Sequence, residues 1–280
     1  VKGAAASQTL DERQVTITGG LDNPMIDPAK GAGWASFTIS SGGFDDTAKM
    51  IPVNHRVGYG SVLGGWTSHD VTRRNHGKCY PLLIGRPGGY SDDGSLRVIE
   101  GSPAYVVDYW EPQDPVVKLS EFWYSQTLLI AGHHVSASHV VVFPKDYPHK
   151  GLQIVPTNTY DLLGQPIAVV SLYGQPEAAR EATEFWVALG RSDALGATTP
   201  ITGAGIANPF STADLWGAGD VACFCLARSS LTIDMAAWRT MASVLNGLAK
   251  ISTYINDPDI SPYEWLEESI LAMLPVTVRY

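Results

Sequence analysis

The stretch LTIDMAAWRTMASVLNGLAKISTYI, residues 231–255, is the longest part of the chain with an unbroken helical rhythm. Leu231, Met235, Trp238, Met241, Leu245, Leu248, Ile251 and Ile255 recur at steps of three and four, so they share one face. Ile233 and Val244 widen that face beyond a coiled-coil seam, which predicts a helix lying on a broad apolar surface. Ser229 and Ser230 offer hydroxyl caps, Asp234 suits the positive end of the helix dipole, and Asn256-Asp257-Pro258 is the expected stop.

Working outward toward the C-terminus, Ser261-Pro262-Tyr263-Glu264 has the form of a capping box with proline at the first helical position. It predicts a helix to about Leu274, ended by Pro275, and then a strand over Val276–Val278. On the N-terminal side, Val221–Leu226 reads as a buried strand or as the lead-in to the long helix. Ser211–Asp214 has the look of another cap, and 191–210 is a Gly/Thr/Ala/Pro-rich loop. Glu177–Leu189 carries Ala178, Ala182, Phe185, Trp186 and Leu189 at helical steps, with Pro176 before it and Gly190 after it.

The grammar before Gly174 is different. Trp34–Ser40 alternates apolar and polar residues, as a half-buried strand does. Ile51–Val53, Val57–Leu63, Tyr80–Ile84, Leu96–Ile99 and Ala104–Tyr109 are short apolar runs between Gly, Pro and Asp turns. Val116–Ile130 and Val140–Phe143 are the most apolar pair of strand candidates, and Leu152–Val155 and Ile167–Tyr173 extend the same sheet. The expectation is therefore α+β: an antiparallel, β-rich portion to about residue 175, with a helix-rich C-terminal portion packed against it. As domains this gives an extended arm over 1–30, a β-rich part over 31–175 and a helical part over 176–280, the last two separate or continuous.

Composition narrows the function. Hydrophobic residues make up 45% of the 280 and charged residues 17%, which permits large protein–protein contacts. A net charge of −9 with no basic arm argues against binding nucleic acid by neutralising phosphates. No apolar run reaches the length of a membrane span. Three cysteines, Cys79, Cys223 and Cys225, make no disulfide framework. The chain opens at Val1 with neither a methionine nor an apolar leader, which points either to release from a larger precursor by a protease or to a trimmed boundary.

Candidates for chemistry are sparse. His133, His134 and His139 lie close in sequence, but adjacent strand residues face opposite ways, and about 20 Å of extended chain separates His133 from His139. No zinc spacing results, and neither a metal nor a cofactor is expected. A hydrolytic site would draw on His134, His139 and Ser136, with Ser138 and Asp146 nearby. Cys79 with His76 is a second nucleophile pair. Asp45-Asp46 and Asp92-Asp93 sit in Gly-flanked turns and read as turn formers, and neither Gly58-x-Gly60 nor Gly203-x-Gly205 has nucleotide-binding spacing.

The leading expectation is a self-assembling structural protein, a viral capsid or coat subunit, whose partners are copies of itself and other shell subunits. It would reside in the virion or host cytoplasm. A hydrolase around residues 133–139, located in the cytoplasm, is the alternative. A carbohydrate-binding module using exposed Trp and Tyr is the third reading.

Overall fold

A computed structural model of the chain describes residues 5–9, 14–20, 34–40, 48–52, 54–58, 73–88, 101–110, 125–145, 151–173, 184–189, 201–229 and 232–273. Among these the strands are β1 (Ala5–Thr9), β2 (Gln14–Gly20), β3 (Trp34–Ser40), β4 (Leu82–Ile84), β5 (Ser102–Trp110), β6 (Ser125–Ala131), β7 (Val140–Pro144), β8 (Leu152–Ile154), β9 (Thr157–Tyr160), β10 (Pro166–Tyr173), β11 (Phe185–Ala188), β12 (Thr232–Ile233) and β13 (Thr253–Ile255). The helices include α1 (Ala218–Leu226), α2 (Met235–Leu248) and α3 (Pro262–Trp265), the last continuing as a π-type turn over Leu266–Leu271. Among the described residues every strand pairing is antiparallel, and the class is α+β. The chain divides into two compact units: residues 1–52 with 216–251 and 258–280, and residues 53–215 with 252–257.

The first unit holds a four-stranded sheet in the order β1-β2-β3-β12 and the helices. Within it α1 is apolar on nearly all sides and buried from Ala218 to Leu226, Asp220 excepted. A side chain at Gly219 would come within 2.5 Å of the Ala242 backbone, so α1 and α2 meet through small residues. Gly217 offers α1 no side-chain cap; instead Asn246 of α2 accepts the Asp220 N–H at 3.0 Å. Helix α3 starts as its sequence predicts: the Ser261 side chain accepts from the Glu264 N–H at 3.1 Å and the Glu264 carboxylate answers the Ser261 N–H.

The long helix is shorter than its apolar rhythm. It begins after Asp234, whose carboxylate accepts the Ala236 N–H at 3.0 Å, so Asp234 caps it, while the Ser229 hydroxyl turns back to the Leu226 carbonyl. It ends at Leu248 because the next backbone groups are claimed elsewhere: Ala218 N–H donates to Ala249 O, and Ile251 N–H donates to Trp216 O at 2.7 Å. Ile251 and Ile255 are buried as expected, but outside the helix, the latter in β13.

A seven-stranded sheet in the order β8-β7-β11-β5-β6-β10-β9 forms the frame of the second unit. Its two end strands are neighbours in sequence, joined by Val155 and Pro156 alone, which keeps their facing ends within about 10 Å. The sheet must therefore curl round toward itself. The bend lies in β5: Ser102–Ala104 pair with β11, and Tyr105–Trp110 pair with β6 across an irregularity between Val106 and Asp108. A second irregularity, at Ala168/Val169, bends β10.

Both faces of the curled sheet are covered, which is why β6, β7 and β10 read as continuous apolar runs. Leu128, Ile130, Val140, Val142, Ala168, Val170, Phe185 and Val187 face one core with Leu83, Val135 and Ala137. Leu129, Ile167 and Val169 face another with Val57, Tyr80, Tyr105 and Val107. Val141, Phe143 and Ala188 form a third.

Several expectations need correction. A helix-rich C-terminal portion is not what the described residues show, because β11 precedes the helices and β12 and β13 lie between them. Phe185–Ala188 is a central strand: its helical steps are overridden by pairing with β5 and β7 on either side. Val221–Leu226 is a helix in its own right. Ser211 opens no helix, since its hydroxyl is taken up in a turn by Ala213 N–H and the Asn208 amide. The two most apolar strands share a sheet but are not neighbours; β5 and β11 stand between β6 and β7. Residues 1–4, Val116–Tyr124, Leu96–Ile99, 177–183 and Val276–Val278 lie outside the described residues.

Candidate functional site

The histidine segment is pinned by two others, 81–86 and 201–206. Gly132 N–H donates to Pro81 O, Ile206 N–H to Leu83 O, Gly205 N–H to Gly85 O and Ser136 N–H to Gly205 O, all within 2.8–2.9 Å. The Gly203-x-Gly205 pattern belongs to this seam. Gly203 has φ +79°, and a Cβ there would fall 2.3 Å from Ser136 O; one at Gly205 would fall 2.2 Å from Leu83 O. Only glycine lets the three backbones approach this closely.

Each candidate side chain is engaged within the seam or beside it. His133 is buried, accepts the Leu83 N–H at Nε2 (2.9 Å) and donates from Nδ1 to His134 O (2.9 Å), which fixes one neutral tautomer. His134 donates from Nε2 to Thr159 O at 3.0 Å and meets the Tyr160 ring edge-on at 5.0 Å. The Ser136 hydroxyl accepts the Ala204 N–H at 3.0 Å and lies 3.2 Å from both Ala204 O and Asp214 Oδ1. Ser138 Oγ accepts the Thr202 N–H and sits 3.2 Å from His139 Nδ1.

The hydroxyl partners of Ser136 are thus Ala204 and Asp214, while His134 reaches Thr159 and His139 reaches Ser138. Asp146, Asp45-Asp46 and Asp92-Asp93 lie outside the described residues. Cys79 is buried and His76 exposed. Among the described residues no group of three or more His, Cys, Asp or Glu could hold a metal ion. Likewise, no helix among them is long and apolar enough to cross a membrane.

A different feature, not singled out from sequence, stands next to this seam. The hairpin β9–β10 turns through Leu162-Leu163-Gly164, with Gly164 at φ +78°. Asp161 builds the turn: its Oδ1 accepts the N–H groups of Leu163 and Gln165, each at 2.8 Å, and its Oδ2 accepts the buried Tyr80 hydroxyl at 3.1 Å. Asp161 is 9% exposed, yet Leu162 and Leu163 are 65% and 75% exposed, and Val155 and Tyr160 are 62% and 59% exposed. Asn158 ties the strand to the seam by clasping both the N–H and the carbonyl of Val135 at 2.9 Å. The signal in the sequence was Asp-Leu-Leu-Gly, a turn frame with two leucines where polar residues are usual.

What this arrangement can do is present apolar surface in a fixed shape, since the turn is hydrogen-bonded into a rigid form without using its leucines. No family profile matches the chain, no curated protein matches it, and no solved structure matches it.

Proposed function

We propose that this chain is a self-assembling structural subunit that builds a shell from copies of itself, of the kind a viral coat is made from. The observation that carries the reading is the β9–β10 hairpin: a rigid turn with exposed leucines at an end strand of the sheet. Among the described residues no strand lies beyond β9, and exposed apolar clusters at strand edges mark association surfaces. The low charge fraction of 17% supports the same reading.

The carbohydrate-binding alternative gains little from the exposed tyrosines. Tyr160 and Tyr173 lie at opposite ends of the hairpin, about 23 Å apart along β10, too far to stack on one sugar. For a hydrolase, the supporting contact is Ser138 Oγ to His139 Nδ1, in a seam whose other polar groups are already bonded.

Light scattering and electron microscopy of the purified chain at micromolar concentration test the proposal. Large closed particles or discrete oligomers are the expected result. A monomer at all concentrations, with hydrolytic activity abolished by His139→Ala, would overturn it.

A further inference from the structure

Charge is segregated along this acidic chain. Over 47–91, six bases (Lys49, Arg56, Arg73, Arg74, Lys78 and Arg86) stand against one acid, Asp70, a local balance of +5. Over 251–278, five acids (Asp257, Asp259, Glu264, Glu267 and Glu268) stand with no base, a local balance of −5. The basic stretch is folded into a fixed patch. Segments 55–57 and 77–80 pair antiparallel, with Val57 N–H donating to Lys78 O and Tyr80 N–H to His55 O, each at 2.9 Å. A helical turn over 73–75 leads into this ribbon, and buried Asn75 anchors it by donating from its amide to Val106 O at 2.6 Å. Arg56, Arg73, Arg74 and Lys78 are exposed. Lys78 lies over the Tyr105 ring at 5.1 Å, whereas Arg56, Arg73 and Arg74 make no ion pair among the described residues.

The acidic stretch is held as firmly. The Ser261–Glu264 capping box starts α3, and Trp265, Leu266 and Ile270 bury the inner side of the turns that follow. Glu264, Glu267 and Glu268 are separated by steps of three and four, so they share the outer side, and all three are exposed. Like charges at this spacing repel, and no ion pair compensates these glutamates among the described residues.

We infer that Arg56, Arg73, Arg74 and Lys78 of one copy dock on the Glu264, Glu267 and Glu268 face of a second copy, forming one contact of the assembly; the inference rests on the self-assembly reading above. Charge complementarity selects this occupant. Taking those four cations from a net −9 leaves −13 on the rest of the chain, so a phosphate polymer drawn to the patch would be repelled by what surrounds it. The glutamate face is a compact set of carboxylates on a fixed element, and its three acids equal in number the three arginines that lack an ion pair. Guanidinium–carboxylate bonds are charge-assisted and can form in pairs. Docking relieves the like-charge repulsion on both surfaces at once.

Charge reversal on the full-length chain tests it. Arg73→Glu/Arg74→Glu reverses one surface, and Glu267→Arg/Glu268→Arg reverses the other while leaving the Glu264 cap intact. All four positions are exposed, so both variants should keep the fold, which circular dichroism checks. In low salt, sedimentation should show each variant alone associating about tenfold or more weakly than the wild type. An equal mixture of the two variants, in which opposite charges face each other again, should recover association. Wild-type association should also weaken as salt rises from about 0.01 M to about 1 M, where the screening length falls from about 30 Å to about 3 Å.

Association that ignores both reversals, or that mixing does not restore, would overturn this contact and leave the self-assembly reading standing. A short RNA duplex that binds the wild type but not Arg73→Glu/Arg74→Glu, with no recovery on mixing, would assign the patch to nucleic acid instead. A wild-type chain that never associates would sink both the contact and the reading beneath it.

Discussion

Replacing Asp161 by alanine separates a built turn from an incidental one. The carboxylate serves three donors: the Leu163 and Gln165 N–H groups at 2.8 Å and the Tyr80 hydroxyl at 3.1 Å. Water can partly replace it at the exposed turn, so each amide should forfeit about 0.5–1.5 kcal/mol. Tyr80 is buried, and its hydroxyl would lose its acceptor at a cost of about 1–3 kcal/mol. Asp161→Ala should therefore destabilise by about 2–6 kcal/mol. Asp161→Asn keeps an acceptor for the amides and can donate to the Tyr80 oxygen, so about 1 kcal/mol is expected. Urea denaturation of Asp161→Ala, Tyr80→Phe and the double variant carrying both gives the cycle, and a Tyr80–Asp161 coupling of about 1 kcal/mol is expected. Since the chain has two compact units, hydrogen exchange at Leu163 and Gln165 supplies a local readout, with faster exchange in Asp161→Ala. A loss below about 1 kcal/mol in Asp161→Ala, or equal losses in the alanine and asparagine variants, would refute the argument.

His133→Ala should cost about 2–4 kcal/mol, because it strands the buried Leu83 N–H; His134→Ala, at a half-buried position, should cost about 1 kcal/mol, and the reverse order in a melt would contradict the seam. Gly205→Ala should lower Tm by several degrees, since its methyl would lie 2.2 Å from the Leu83 carbonyl oxygen; an unchanged Tm would show that the backbones are not so close. Burial, reinforced by Asp220, pushes the Cys223 thiol up to about 12, and burial beside Glu267 pushes the Tyr263 phenol up to about 12; Tyr80 and Cys225 move the same way, mainly through burial. The folded chain therefore keeps protons that the unfolded chain releases from about pH 9 to 10, so this stabilisation holds below pH 9 and disappears as pH climbs toward 12. A urea midpoint that rises above pH 9 would contradict that sign. Cys223 is fully buried and its thiol is held protonated by that burial, so an aromatic disulfide reagent should find it unreactive until the chain is denatured.

Where local chemistry and tertiary context agree, the fold could be read from the residues. The Ser261 capping box, the strands at Trp34–Ser40, Leu82–Ile84 and Val140–Pro144, and the antiparallel class all follow from spacing and turn residues. Reading failed where distant partners decide. Phe185–Ala188 has helical steps, yet strands remote in sequence claim its backbone on both edges. Residues 249–255 carry the helical rhythm on, but Trp216 and β4 take their hydrogen bonds. The histidine cluster attracted attention because imidazoles do chemistry, whereas His133 works as a structural bridge between backbones. The hairpin went unnoticed for the opposite reason, because leucines in a turn carry no reactive group.

The place of β11 has a consequence for how the molecule is made. Hairpins β7–β8 and β9–β10 close between near neighbours, and β5 and β6 need only the intervening segment. Phe185–Ala188 is synthesised after all of them and then inserts in the middle of the order, between β7 and β5. Until it arrives, the nascent chain holds two half-sheets, each with a bare edge, and β11 is the keystone that joins them. A polypeptide truncated before residue 184 should accordingly precipitate, whereas one extended through 189 has the strand that closes the gap.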